Sequence, residues 1–240
     1  MLKKILPTLA MCFLASVSFA NEKVIDKSKE ERIKSFASTV TINFEQKNDR
    51  EFEFNEKDHI DYEVLYFYSY SCPHCYEFKD YLNEWKKQKG DDVSLHYIPV
   101  TFQDNWDITA KAYIIARQLK LNNFDRTIYD RIHKKGYKIT SMEDLRDFFY
   151  EEYSINTSVF NSLYNGLETN MQIEKFNKLT DDLEIMATPS LVLITRDGRT
   201  FLTSPSIANG QANAIFSIEY LMIQDRKIKE KERLKAQPQK

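Results

Sequence analysis

The spacing of apolar positions predicts a strand, a helix and a second strand in the first half of the chain. Residues 63–69 form a nearly continuous apolar run, which predicts a strand buried on both faces of a sheet. A helix is predicted after this run, because the next apolar positions recur at helical spacing: Cys75, Phe78, Leu82 and Trp85. A second apolar strand is predicted at residues 93–100. Elements in this order predict a parallel βαβ unit.

Helical spacing then continues through residues 102–185. Helices are predicted near residues 108–119, 124–133, 141–151, 157–165 and 171–185. Several of them begin at Ser, Thr or Asp, which are typical helix caps, and the segment from Ser141 to Asp144 resembles a capping box. The pattern therefore predicts a long all-helical segment after the second strand.

Strand character returns after the helical segment. Strands are predicted at residues 190–195 and 200–203, with Asp197-Gly198 as the hairpin turn between them. A last helix is predicted from about Asn209, and its charges alternate in sign toward the end. We interpret residues 233–240 as a charged, solvated tail in preference to a site for a partner.

The first twenty residues differ from the rest of the chain. Two lysines, a short apolar run and small residues at its end predict a signal peptide over residues 1–20, cleaved after Ala20 for export to the periplasm. A lipoprotein signal ending at Cys12 is the less favoured alternative, because Met11 is bulky where such a site needs a small residue.

A polar lead-in and a hairpin are predicted after the signal. The lead-in covers residues 21–36, and the strands cover residues 38–44 and 51–54. The turn between them is predicted at residues 47–50. This segment has no clear chemical motif, and an added hairpin or a dimerisation element are both open interpretations of it.

Composition narrows the classes of function. Lys+Arg 34 against Asp+Glu 36 give a formal net charge of -2, so the chain has no basic excess for binding nucleic acid. Export would remove Cys12 with the signal and leave Cys72 and Cys75 as the only thiols. A disulfide between residues so close in sequence adds little stability, so the pair requires a chemical explanation.

Three kinds of site contain two cysteines at this spacing. A c-type haem site needs a histidine directly after the second cysteine, where this chain has Tyr76. A zinc site needs two further ligands, and the remaining histidines are scattered singly: His59, His96 and His133. A thiol–disulfide redox site needs only Cys72 and Cys75, so the sequence favours redox chemistry with no added cofactor and no stable metal.

The predicted helix start indicates how this pair would react. Pro73 suits the first helical position, and a Cys72 sulfur at a helix N-terminus faces unpaired N–H groups and the positive end of the helix dipole. These groups, with His74 in the first turn, would stabilise the attacking thiolate. We therefore expect an exposed Cys72 and a buried Cys75. A stable thiolate favours the dithiol form, which makes the disulfide a strong oxidant.

Three segments of the chain resemble the DsbA family of thiol:disulfide oxidoreductases. Residues 63–82, which contain Cys72-Pro73-His74-Cys75, resemble its active-site segment. Residues 97–102 are similar to the strand end that follows in that family. Residues 187–190 are similar to the segment that holds the cis-proline of the thioredoxin superfamily. The combination of CPHC with a later X-Pro before a strand is far more specific than two cysteines alone.

This resemblance implies an α/β protein with a thioredoxin fold and an inserted all-helical domain. The thioredoxin-like domain would be discontinuous, over residues 37–101 and 186–232, and the helical domain would cover residues 102–185. The resemblance also implies that Cys72 attacks the substrate and that Cys75 is the resolving cysteine.

The resemblance further implies a substrate-binding role for Thr188 and Pro189. A cis Pro189 would face the CPHC turn and leave the Thr188 backbone free to pair with an extended substrate chain. An ordinary trans proline at the start of a strand is the alternative. An aromatic surface around Tyr70, Tyr76 and Pro189 would bind unfolded chains, unless these side chains belong to the core.

The chain departs from the family pattern at three positions. Tyr66 stands where family members often have a buried acid, and Tyr97 stands where they often have a lysine. Proton handling at Cys75 could therefore differ and involve tyrosine hydroxyls or water. Thr188 precedes the proline where the oxidase branch commonly has valine and the isomerase branch threonine, and its hydroxyl could donate to the Cys72 thiolate.

The function implied is that of an exported protein-dithiol oxidase. It would donate the Cys72–Cys75 disulfide, through a mixed disulfide at Cys72, to unfolded or folding exported proteins with free thiols. A membrane partner of the DsbB type would reoxidise the pair. A disulfide isomerase or reductase is one alternative, favoured by Thr188 and the long lead-in. A non-catalytic binding or chaperone module with a thioredoxin fold is another.

Overall fold

The computed structural model describes residues 45–47 and 60–236. The predicted signal, the polar lead-in and the predicted strands at 38–44 and 51–54 lie outside these residues. The predicted turn at residues 47–50 is wrong at its first position, because Lys47 is the last residue of a strand. None of the described helices is apolar over enough of its length to cross a bilayer.

One mixed sheet contains the five strands found in the described residues. They are β1 (Glu45–Lys47), β2 (Tyr62–Tyr68), β3 (Val93–Pro99), β4 (Ser190–Thr195) and β5 (Thr200–Thr203). Their order across the sheet is β1-β5-β4-β2-β3. Strand β2 lies between β4 and β3, parallel to β3 and antiparallel to β4, which confirms the predicted βαβ unit. Because β2 and β4 are covered on both faces, their apolar runs are nearly continuous.

Seven α-helices and two shorter helical turns accompany this sheet within the described residues. The helices are α1 (Pro73–Lys89), α2 (Trp106–Gln118), α3 (Phe124–Tyr129), α4 (Met142–Tyr153), α5 (Thr157–Tyr164), α6 (Leu167–Asp182) and α7 (Gln211–Ala236). A 3-10 turn, Gly90–Asp92, follows α1, and a π-helical turn, Asp130–Lys134, extends α3. Helices α2 to α6 follow β3 and precede β4 along the chain. This order supports our proposal of a separate helical domain at residues 102–185.

Helix α7 packs against α1 and the sheet, and a buried carboxylate holds it there. Asp225 accepts a hydrogen bond from the Tyr62 hydroxyl of β2 at 2.8 Å. The same carboxylate pairs with Arg199, between β4 and β5, and with Lys229 at 2.8 Å. A buried charge is tolerated only with such partners, and the contacts with Tyr62 and Arg199 fix the position of α7 on the sheet, since Lys229 belongs to α7 itself.

The helical segment contacts the CPHC loop through aromatic rings. Phe124, at the start of α3, packs against Phe148 and Phe149 of α4 with ring centroids 6.0 and 5.4 Å apart. Phe124 also lies 5.9 Å from the ring of Tyr70, which is two residues beyond the end of β2. Apolar packing of this kind is close and directional, so the inserted helices hold the loop that carries Cys72.

The capping box predicted at the start of α4 is confirmed. The Ser141 hydroxyl accepts from the Asp144 N–H at 3.1 Å, and the Asp144 carboxylate accepts from the Ser141 N–H at 3.0 Å. We expect Ser141→Ala to lower the free energy of unfolding by about 1 kcal/mol, because one N–H group at the helix start loses its partner.

Urea unfolding followed by circular dichroism measures this change. Ser162→Ala in α5 is the matched control, since Ser162 is exposed within a helix and alanine suits that position. Equal unfolding free energies for Ser141→Ala and the parent chain would contradict the role of the cap.

Candidate active site

Cys72 lies in the short connection between β2 and α1. It is the N-cap residue of α1, with φ -84° and ψ 117°, and Pro73 occupies the first helical position. The Cys72 N–H donates to the Ser69 carbonyl at 3.2 Å, and the Tyr76 N–H donates to the Cys72 carbonyl at 3.1 Å. The helix start predicted from Pro73 is therefore confirmed, and the Cys72 sulfur lies at its N-terminus.

The antiparallel pairing of β2 with β4 brings a distant segment to this sulfur. Phe67 of β2 is opposite Ser190 of β4, so the residues just before β4 lie beside the end of β2. The Thr188–Pro189 peptide bond is cis, as the family resemblance predicts. The Cys72 sulfur lies 3.8 Å from the Thr188 carbonyl oxygen, to which it can donate a hydrogen bond only while it is protonated.

The two cysteines are both buried thiols. Cys75 is 0% exposed, as its place on the apolar face of α1 predicts. The exposed position expected for Cys72 is wrong, since only 5% of this residue is accessible. Its sulfur is not directed to open solvent because it lies against Thr188.

The Cys72 sulfur is nevertheless well stabilised as a thiolate. A hydrogen bond from the Cys75 thiol lowers the pKa of Cys72 most, and burial opposes it. The Thr188 side chain and the backbone N–H groups of Cys75 and His74 lower the pKa further, to about 5. The sequence indicated the backbone donors and Thr188, but it did not identify Cys75 as the main donor.

Cys75 has the opposite electrostatic environment. Burial raises its pKa well above the ordinary value, and the negative charge on Cys72 raises it further. At neutral pH the pair therefore holds one thiolate and one thiol. This division gives an attacking sulfur at Cys72 and a protonated partner at Cys75.

The imidazole of His74 contacts a carboxylate on the surface of α1. It is exposed, and its Nδ1 lies 3.7 Å from the Glu77 carboxylate one turn further along α1. The contribution of residue 74 to the low pKa of Cys72 comes from its backbone N–H.

The aromatic surface expected around Tyr70, Tyr76 and Pro189 is largely part of the core. Tyr70 is fully buried and donates to the Asp125 carboxylate, and Pro189 is buried as well. Tyr76 is half-buried and stacks on His133 with ring centroids 4.7 Å apart. The large side chain left open on the loop before β4 is Met186, which is 87% exposed.

Sequence reasoning did not identify the contributions of the inserted helices. Tyr129 and His133 lie against the CPHC helix, and His133 Nε2 is 2.8 Å from the Tyr70 carbonyl. They belong to a helical stretch recognised only by its apolar spacing. Nothing in that spacing separates a residue beside the active site from one in the core of the insertion.

Comparisons with known proteins agree with this geometry. The sequence model of the thioredoxin family, described as "Thioredoxin", matches residues 61–211. The thiol:disulfide interchange protein DsbA of Azotobacter vinelandii is 29% identical over 165 residues, which cover 68% of this chain and 75% of that protein. DsbA of Burkholderia cepacia is 25% identical over 169 residues, which cover 69% and 77%.

Solved structures show the same fold. The crystal structure of Pseudomonas aeruginosa DsbA matches with a TM-score of 0.67 and 20% identity over 78% of this chain and 94% of that one. DsbA of Xylella fastidiosa matches with a TM-score of 0.64 and 24% identity over 77% and 95%. The chain belongs to the DsbA family of the thioredoxin superfamily. It is a thiol:disulfide oxidoreductase with a thioredoxin-like fold.

Tyrosines occupy two of the three positions at which the sequence departs from the family pattern, Tyr66 and Tyr97. Tyr66 is buried in β2, and burial raises its pKa together with interactions with Tyr129 and Cys75. The hydroxyl of Tyr97, in β3, donates to Asn83 at 3.4 Å. No cluster of three or more metal-ligating side chains is present among residues 45–47 and 60–236.

Replacement of Thr188 by valine tests the hydroxyl beside the thiolate. We expect Thr188→Val to raise the pKa of Cys72, because the side-chain donor is lost while the shape is kept. Absorbance of the thiolate near 240 nm, followed against pH in the reduced protein, measures this change. Thr101→Val is the control, since that hydroxyl donates to Asn177. Identical titration midpoints for Thr188→Val and the parent chain would contradict the contact.

Stability against pH provides a second test of the thiolate. The pKa of Cys72 falls from an ordinary 9.0 to about 5 on folding, so its stabilising effect is complete above pH 9 and is lost as the pH falls through 5. The oxidised protein has no such titrating thiol. We therefore expect the free energy of unfolding of the reduced form to rise, relative to that of the oxidised form, as the pH is raised from 5 to 9.

Urea unfolding of both redox forms at a series of pH values measures this difference. A difference between the forms that does not vary from pH 5 to 9 would contradict a low pKa at Cys72.

Proposed function

We propose that this protein is an exported protein-dithiol oxidase that donates the Cys72–Cys75 disulfide to other proteins. The observation that carries the proposal is the unequal environment of the two sulfurs, with a pKa of about 5 at Cys72 and a raised pKa at Cys75. A stable Cys72 thiolate favours the dithiol form of the enzyme, and this preference drives the disulfide onto the substrate.

The proposed reaction begins with the oxidised enzyme. A substrate thiolate attacks the Cys72 sulfur, the bond between Cys72 and Cys75 breaks, and Cys75 receives its electron pair and then a proton. A second substrate thiolate attacks the substrate sulfur of this mixed disulfide. The substrate leaves with a new disulfide, and Cys72 leaves as a thiolate. The substrate is oxidised by two electrons and the enzyme is reduced by two.

The loop before β4 is the proposed place for the substrate chain. Thr188 lies beside the Cys72 sulfur, and we propose that its backbone pairs with an extended segment next to the reacting cysteine. Cis Pro189 directly precedes β4. The exposed Met186 offers an adaptable apolar contact two residues away, which suits unfolded chains of varied sequence.

The cellular setting is also part of the proposal. The DsbA relatives support a periplasmic location, and the signal-like residues 1–20 support export with cleavage after Ala20. Unfolded or folding exported proteins would be the substrates, and a membrane protein of the DsbB type would restore the disulfide. No cofactor beyond the cysteine pair is needed for either half-reaction, because each is an exchange between sulfurs.

A disulfide isomerase is the second candidate, and Thr188 favours it. Its side chain interacts with both sulfurs and so changes the balance between the dithiol and disulfide forms. An isomerase is kept reduced in the cell, whereas an oxidase is kept oxidised. Acid quenching and thiol alkylation of the protein in its native cells separate the two, since the oxidase should be recovered mostly as the disulfide.

Trapping of the mixed disulfide tests the proposed roles of the cysteines. We expect Cys75→Ser to accumulate a long-lived mixed disulfide at Cys72 when the substrate is a reduced, unfolded protein treated with an oxidant, because no internal thiol can release it. Cys72→Ser is the matched control and should form no such complex, since its remaining thiol is buried and has a raised pKa. Non-reducing electrophoresis and mass spectrometry identify the complex.

Oxidation of reduced substrate by the wild-type protein completes this test. Both single variants should lose that activity by at least about 100-fold, because the disulfide donor is absent. Complexes of equal yield in the two variants would contradict the assignment of Cys72 as the attacking residue. If the wild-type protein oxidises no substrate, and both variants bind unfolded protein as well as the wild type does, the result would favour the non-catalytic module.

A further inference from the structure

A turn carries the chain from β2 into α1. The Cys72 N–H donates to the Ser69 carbonyl at 3.2 Å, so residues 69–72 form a hydrogen-bonded turn. Tyr70 and Ser71 are its two central residues. In turns of this kind the peptide between the central residues can rotate, and its two orientations distinguish type I from type II. The orientation of this peptide therefore sets the path by which the chain enters α1 at Cys72.

Two side chains bind the polar groups of this peptide. The Ser71 N–H donates to the Ser69 hydroxyl oxygen at 3.1 Å. The Tyr70 carbonyl lies 2.8 Å from Nε2 of His133, which comes from the inserted helices. Because a carbonyl can only accept, Nε2 must carry the proton in this contact. A peptide that has both its N–H and its C=O bonded cannot rotate without losing these two hydrogen bonds.

The position of His133 is fixed by its own element and by α1. It lies in the π-helical turn Asp130–Lys134, and such turns occur frequently at functional sites. Arg131 of the same turn pairs with Glu152 of α4 at 3.4 Å. The imidazole also stacks on the ring of Tyr76, with 4.7 Å between the centroids. The donor to the turn is therefore held from two sides.

The side chain of Tyr70 is bound to the same insertion. Its hydroxyl donates to the Asp125 carboxylate of α3. Its ring packs edge-on against Phe124 and Tyr129, with centroids 5.9 and 5.0 Å away. Since the ring is fixed by these contacts, the bond from His133 acts on the orientation of the backbone and not on the place of the side chain.

The donors to the Cys72 thiolate depend on how the chain enters α1. The backbone N–H groups of His74 and Cys75 and the Thr188 side chain all contribute to the low pKa of Cys72. Hydrogen bonds weaken steeply as distance and angle change, so a rotated turn that shifts Cys72 weakens these bonds together. Both thiols are free in the structure, so these contacts belong to the dithiol form. A fixed turn therefore favours that form over the disulfide.

We propose that His133 is a positioning residue for thiol–disulfide exchange, and that it acts by holding the peptide between Tyr70 and Ser71. This proposal rests on the role of Cys72 as the attacking cysteine, which is proposed above. Loss of the Nε2 donor frees one end of the peptide and lets the turn move away from the geometry that aligns N–H groups on Cys72. The disulfide then becomes a weaker oxidant. The inserted helices thus set part of the oxidising strength of the pair.

Substitutions that separate the donor from the ring test this proposal. His133→Phe keeps a ring to stack on Tyr76 and removes the donor, whereas His133→Gln places an amide N–H near the position of Nε2. Equilibration in glutathione buffers, followed by thiol alkylation and mass spectrometry, gives the equilibrium constant for reduction of the disulfide. One hydrogen bond changes an equilibrium by about twofold to tenfold, so we expect His133→Phe to lower that constant by this factor. His133→Gln should restore most of it.

The thiolate absorbance of reduced protein, followed against pH, gives a second readout. The midpoint for Cys72 should rise by about half a pH unit to one unit in His133→Phe and return toward the wild-type value in His133→Gln. His96→Phe is the matched control, because it makes the same change at a histidine of β3 that bonds to Ser94. It should leave both readouts unchanged.

Ser69→Ala tests the other end of the same peptide. It removes the acceptor of the Ser71 N–H, so it should change both readouts in the same direction as His133→Phe. The effect of the double variant should differ from the sum of the two single effects, because both bonds act on one peptide plane. If His133→Phe does not fold, Ser69→Ala and His133→Gln decide the question, and wild-type values in Ser69→Ala would overturn the proposal.

The outcomes distinguish this inference from the proposed function. A lower equilibrium constant and a raised midpoint in His133→Phe, restored in His133→Gln and absent from His96→Phe, support the positioning role. Wild-type values in His133→Phe, or equal losses in His133→Phe and His133→Gln, would overturn it while the exchange chemistry at Cys72 stands. A wild-type protein that exchanges no disulfide with glutathione would contradict the proposed function and this inference together.

Discussion

The hydrogen bond from the Cys75 thiol to the Cys72 sulfur is the interaction on which the site depends. It is the largest single cause of the low pKa at Cys72, and it exists only while Cys75 keeps its proton. Burial of Cys75 maintains that proton, because a charge at a fully enclosed sulfur is unfavourable. The exchange chemistry therefore depends on two sulfurs three residues apart having unlike surroundings.

This difference is created by packing around the first turn of α1. The backbone N–H groups at the helix start face Cys72, whereas Cys75 faces the apolar interior that also encloses Phe78 and Leu82. Residues three positions apart on a helix are neighbours, so the two sulfurs lie together, and the extended backbone of Cys72 at the N-cap places it beside the free N–H groups of the helix start. The sheet also brings Thr188 to this site. The register of β2 and β4 places the residues just before β4, among them Thr188, at the end of β2.

The inserted helices complete the surroundings of the pair. Tyr129 packs against Tyr76 of α1, with ring centroids 5.9 Å apart, and Phe124 joins the CPHC loop to the aromatic core of the insertion. A helical domain that only covered the fold would not need polar atoms there. The tyrosines instead combine rigid apolar rings with hydroxyls.

The sequence by itself determined the elements and the chemistry of this protein. The apolar run of β2, Pro73 at a helix start and the spacing of Cys72 and Cys75 depend on local geometry, so a strand, a helix N-terminus and a redox pair could be predicted from them. Tertiary structure decided what surrounds the sulfurs. Only the packing of distant segments buried Cys72 against Thr188, placed Tyr70 in the core and brought Tyr129 near Cys75, because contacts between residues far apart in sequence leave no periodic pattern along the chain.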